Sequence, residues 1–64
     1  RMYITYKVKI RIRAGIDDYM DEDFTGVEHT FEKTAQEELK LAQKYIQNDN
    51  RLILAYIDKT EVYS

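Results

Sequence analysis

The sequence predicts a small α+β domain: a three-stranded antiparallel sheet in the order 2-1-3, carrying one helix on one face, in the element order β-β-α-β. Three observations lead there. Tyr3–Ala14 has apolar side chains at its even positions and cations at Lys7, Lys9, Arg11 and Arg13 of its odd ones. Ala35–Asn48 repeats apolar residues at helical spacing, and Arg51–Tyr63 returns to a strand-like run. A chain of 64 residues has room for one core and no more, so all of it is read as a single domain, 1–64.

The first strand, 3–14, sends successive side chains to opposite faces. Ile4, Tyr6, Val8, Ile10 and Ile12 form an apolar row, and Lys7, Lys9, Arg11 and Arg13 form a cationic one. Gly15 is read as its terminator, supplying a positive-φ position. Residues 15–26 follow as an acidic loop anchored by Ile16, Tyr19, Met20 and Phe24, the first three at helical spacing. The second strand is placed at 27–32, VEHTFE, with Val27, His29 and Phe31 on one face and Glu28, Thr30 and Glu32 on the other. In antiparallel register, Glu28 and Glu32 then stand beside the cationic row, where opposite charges attract.

Thr34-Ala35-Gln36-Glu37 has the form of a capping box and opens a helix over 35–48. Ala35, Leu39, Ala42 and Ile46 make its apolar stripe, widened by Leu41 and Tyr45, and the stripe is the expected cover for Val8, Ile10 and Ile12. Asn48-Asp49-Asn50 stops it. The last strand, 51–63, is apolar on both faces at Leu52–Ala55. Asp58-Lys59 leaves two readings open, one long strand or a strand followed by a separate arm. The connection through the helix puts the long first strand in the middle of the sheet.

Composition narrows the functional classes. There is no Cys, hence no disulfide and no thiolate metal site, and the net charge is −2. No run approaches the ~20 apolar residues of a membrane span, and no secretory pattern of charged, apolar and small residues is seen. The expectation is a cytoplasmic chain with no membrane partner. Arg1 before Met2 reads as an addition to a complete small reading frame starting at Met2. A nucleophilic triad finds no material, with one His, no Cys and Ser only at Ser64. His29 reads as a core-edge residue. The stretch Asp21-x-Asp23-x-Thr25-Gly26-x5-Glu32 matches a calcium-loop pattern in part. Phe24 and Glu28 sit badly in that pattern, and the preceding element reads as a strand, so no metal, cofactor or catalytic residue is assigned.

The remaining function is binding without chemistry. The expected partner is a protein, through the open sheet face, the final edge strand or the acidic loop, with a homodimer as one form of it. Candidate contacts are Asp17, Asp18, Asp21, Glu22 and Asp23, five carboxylates in seven residues, together with Tyr56 and Tyr63 on the last strand. Such an acidic cluster steers toward basic partners, by analogy with small phage or mobile-element proteins that act by occlusion. An uncapped edge strand invites pairing with another chain. The alternative is a nucleic-acid binder using Lys7, Lys9, Arg11 and Arg13. It is weakened by the negative overall charge and by the acidic neighbours expected on the second strand.

Overall fold

The computed structural model describes residues 1–64 and contains a three-stranded antiparallel sheet with one helix on one face. β1 is Met2–Gly15, β2 is Asp18–Asp23, α1 is Glu32–Ile46 and β3 is Leu52–Tyr63; the sheet order is β2-β1-β3. The fold class and strand order are those expected from the sequence, and β1 is the central strand because it alone has two cross-strand partners.

The second strand is not where alternation placed it. It forms from DYMDED, inside the stretch expected to be a loop, and pairs Lys9 with Asp23, Arg11 with Asp21 and Arg13 with Tyr19. Acidic residues have low strand propensity, but cross-strand charge and packing decide such cases. Here β1 presents cations at Lys7, Lys9, Arg11 and Arg13, and Asp21 and Asp23 stand directly across from Arg11 and Lys9. VEHTFE contributes a single bridge, Tyr6 to His29, and leaves the sheet at both ends. The β1–β2 turn takes its positive φ at Asp17 (60°), a conformation Asp tolerates better than most residues. Gly15 stays in the strand, and the glycine in the left-handed region is Gly26 (84°).

The helix begins at Glu32, three residues before the expected start, with Phe31 at the N-cap and no side-chain cap. The Thr34 hydroxyl instead donates to Phe31 O at 3.0 Å, so the T-x-x-E pattern lies inside the helix and caps nothing. Its C-terminus is Ile46 rather than 48. β3 is one continuous strand, paired with β1 from Leu52 to Tyr63 and bulged at Ile53. No separate arm forms. The chain ends meet, with the Arg1 ammonium donating to Ser64 O at 3.0 Å.

The core lies between α1 and the even row of β1. Val8, Ile10 and Ala42 are buried, and Ile12, Phe24, Leu39, Ile46, Leu52, Ala55 and Ile57 pack around them. Close approach of the helix to the sheet uses two alanines, Ala35 and Ala42, both fully buried. Leu41 and Tyr45, expected to widen the buried stripe, are more than half exposed. The inward position between the alanines belongs to Glu38.

Candidate functional site

Three surfaces stand out once the residues are placed. The first is the open sheet face opposite the helix. It carries Lys7, Lys9, Arg11 and Arg13 from β1, flanked by Asp21, Asp23 and Tyr19 from β2 and by Leu54, Tyr56 and Asp58 from β3. Arg11 grips Asp21 with two bonds, Nε to Oδ1 at 2.8 Å and a terminal nitrogen to Oδ2 at 3.0 Å. The Tyr56 hydroxyl donates to the same Oδ2 at 2.6 Å, and its ring lies 5.7 Å from the Arg11 guanidinium. Lys9 reaches Asp23 at 3.3 Å, and Lys7 bridges Asp23 at 3.5 Å and Glu28 at 3.8 Å.

The bonds from Arg11, then that from Tyr56, hold the Asp21 carboxyl down to about 2. The bond to Asp21 pushes the Tyr56 phenol up, and the bond to Asp23 raises the Lys9 ammonium. The face is therefore a set of internally satisfied ion pairs. Arg13 alone among the four cations has no carboxylate partner. Of the two glutamates expected beside the cations, Glu28 reaches Lys7, whereas Glu32 belongs to the helix.

The acidic run does not act as one patch. Asp17 lies in the turn and Asp18 begins β2. Asp21 and Asp23 face the open side, while Glu22 points to the helix side opposite Ile10. The calcium-loop pattern is likewise dispersed. Asp21 and Asp23 are committed to Arg11 and the lysines, Thr25 donates to Glu38, and Glu32 opens the helix.

The second surface is formed by the sheet edges. β1 uses its even residues toward β2, as shown by the reciprocal Tyr6–His29 bonds at 2.8 Å and by Phe24 N donating to Val8 O. Its odd residues therefore bond β3, and the mutual pairs are Lys7 with Asp58 and Lys9 with Tyr56. It follows that Ala55, Ile57, Lys59 and Glu61 turn their backbone N–H and C=O away from the sheet. Nothing pairs with them. Tyr63, at the end of this edge, is mostly exposed, and its hydroxyl donates to Glu61 at 2.6 Å.

The third surface lies beside the helix. α1 packs on β1 and β3 and does not reach β2. The helix side of β2, with Met20 and Glu22, is left uncovered, and on α1 Leu41 and Tyr45 are exposed; Tyr45 packs on Phe24 with ring centroids 5.6 Å apart and the planes tilted by 56°.

Sequence reading missed one cluster. Glu38 is buried, accepting from His29 Nε2 at 2.5 Å and from Thr25 Oγ1 at 2.8 Å, while His29 Nδ1 lies 3.0 Å from Thr34 Oγ1. The available signal was position: Glu38 falls three residues after Ala35 and four before Ala42, on the inward stripe. The cluster ties the 25–29 segment to the helix, and no enclosed pocket adjoins it. No helix is long and apolar enough to cross a membrane. Neither protein-family models nor comparisons with curated proteins and with solved structures give a match for this chain.

Proposed function

We propose that this chain is a non-enzymatic protein-interaction module whose primary contact is strand addition at the outer edge of β3, with a second copy of itself as the partner. The observation that carries the reading is the unpaired edge of a twelve-residue strand. Long unpaired edges template further pairing unless charge, proline or a cover blocks them, and this chain has no Pro. The opposite edge, β2, is short and has four carboxylates in six residues, so it repels a copy of itself.

Antiparallel self-pairing about a two-fold axis keeps both helices on one face. A register centred on Ile57 opposes Tyr56 to Asp58 and Ala55 to Lys59 of the other copy. Centring on Asp58 or Lys59 instead opposes like charges. In the Ile57 register the two helices lie about two strand spacings apart, ~9.6 Å, within the 8–10 Å of ordinary helix packing. Gln36 and Gln43, on the flank opposite Tyr45, then face the partner helix.

We favour this reading over the nucleic-acid alternative, because three of the four cations already hold carboxylates and phosphate binding needs a net positive patch. Cytoplasmic location remains part of the proposal, resting on composition alone.

Sedimentation analysis of the wild type and Lys59→Pro provides the test. Proline at this position removes an outward N–H and no ladder bond, so the variant is expected to fold. A concentration-dependent dimer that Lys59→Pro abolishes is the expected result. A wild type that stays monomeric throughout, or a dimer that Lys59→Pro leaves intact, overturns it.

A further inference from the structure

We infer that the outer edge of β2 carries an electrostatic stop, formed by Asp17, Asp18 and Glu22, that holds assembly of this chain at a closed pair. Given the self-pairing proposed at β3, on which this rests, two copies make a six-stranded sheet with a β2 strand at each end. β2 bonds β1 through Met20 and Glu22, the partners of Ile12 and Ile10. Tyr19, Asp21 and Asp23 therefore turn their N–H and C=O groups outward, and nothing pairs with them. Pairing at β3 and at β2 in alternation has no closing step, so an open β2 edge would extend the sheet into a ribbon.

The residues of β2 block that extension. Pairing β2 with its own copy about a two-fold axis sets one residue opposite itself, and the six residues of β2 give six such registers. Centred on Asp18, Asp21, Glu22 or Asp23, a carboxylate meets its own copy. Centred on Tyr19, Asp17 meets Asp21. Centred on Met20, Asp18 meets Glu22 and Asp17 meets Asp23. No register avoids opposed carboxylates, and like charges directly opposite destabilise a strand pair. The β3 edge differs, because its register centred on Ile57 opposes no like charges. The five carboxylates of 17–23 are not equivalent. Asp21 and Asp23 hold Arg11 and the lysines, which offsets their charge. Asp17, Asp18 and Glu22 are exposed and take part in no ion pair. Arg13, the cation left without a carboxylate, lies one strand further in, across from Tyr19.

Asp17→Asn, Asp18→Asn and Glu22→Gln together clear the registers centred on Tyr19 and Met20 and spare every ion pair of the sheet. Asn keeps the left-handed backbone at position 17. In sedimentation, the wild type should reach twice the chain mass and stop. The triple variant should pass that mass, with larger species growing as concentration rises. Adding Lys59→Pro to it should leave a dimer joined at β2 alone, in which the Tyr19 and Asp21 amides exchange more slowly than in dilute protein. Adding Tyr19→Pro instead removes an outward N–H and no ladder bond. It should return the triple variant to the closed pair, which separates strand pairing from a loss of solubility. A triple variant that stops where the wild type stops, or growth that Tyr19→Pro leaves intact, overturns the stop. A wild type that itself grows past two copies overturns it as well. A monomeric wild type would instead mean that self-pairing at β3 fails. The triple variant carrying Lys59→Pro then decides the stop alone: a β2 dimer upholds it, and a monomer overturns it.

Discussion

Replacing Glu38 by Ala removes the acceptor at the centre of the buried polar cluster. The cost can be built from its partners. His29 loses a hydrogen bond to a charged acceptor, about 1.5–3 kcal/mol, and Thr25 loses a bond to the same group, about 1 kcal/mol at most because its hydroxyl can turn to water. Alanine returns a few tenths of a kcal/mol as the better helix former. The sum is a loss of roughly 2–3 kcal/mol, and at about 4–8 °C per kcal/mol for a domain this size the Tm should fall by about 10–20 °C. Glu37→Ala, one residue away and exposed, should move it by only a degree or two. Thermal unfolding followed by circular dichroism at neutral pH reads both. His29→Ala combined with Glu38→Ala should cost clearly less than the sum of the singles, because the two share one interaction. If Glu38→Ala unfolds within two degrees of Glu37→Ala, the cluster is a surface contact and the account of how residues 25–29 are held is wrong.

Two further outcomes follow from the core and the open face. Val8→Ala, at a position 1% exposed in the middle of the core, should destabilise by about 2–3 kcal/mol through lost transfer energy and a residual cavity, measured by urea unfolding with unchanged m-value. Acid titration should expose the Arg11–Asp21–Tyr56 group. The Asp21 carboxyl is depressed from its ordinary value to about 2, so its contribution is fully present above about pH 4 and is lost as pH falls through about 2. Unfolding curves of the wild type should weaken over that interval. Asp21→Asn should flatten that part of the profile, and an unchanged slope would mean the group contributes no pH-linked stability.

What was legible in the sequence was whatever depends on period. The alternation of 3–14 gives the central strand, its buried row and its cationic row, because side-chain direction in a strand follows from the backbone alone. The helix and final strand follow from the same kind of pattern. The second strand was not legible, because DYMDED has neither alternation nor strand propensity. It pairs because Lys9 and Arg11 need carboxylates, a tertiary fact. VEHTFE has the right alternation, but His29 is drawn to Glu38 and Gly26 turns the chain, which leaves one bridge. The helix start was misread for a related reason. T-x-x-E describes a cap only where the backbone is entering the helix, and the tie from His29 to Glu38 lets the helix begin a turn earlier. Among the candidate site residues, the five carboxylates of 17–23 do not share one face. Strand geometry divides Asp21 and Asp23 from Glu22, satisfying the first two and leaving the third free.

Amide hydrogen exchange along β3, compared between dilute and concentrated protein, tests the edge directly. In the dilute sample the N–H groups of Tyr56, Asp58 and Thr60, which bond β1, should exchange slowly, and those of Ala55, Ile57, Lys59 and Glu61 should exchange fast. Concentration should slow Ala55, Ile57 and Lys59 and leave the others unchanged. If those three amides exchange equally fast at every concentration, the β3 edge is not used for self-pairing and the proposed function fails.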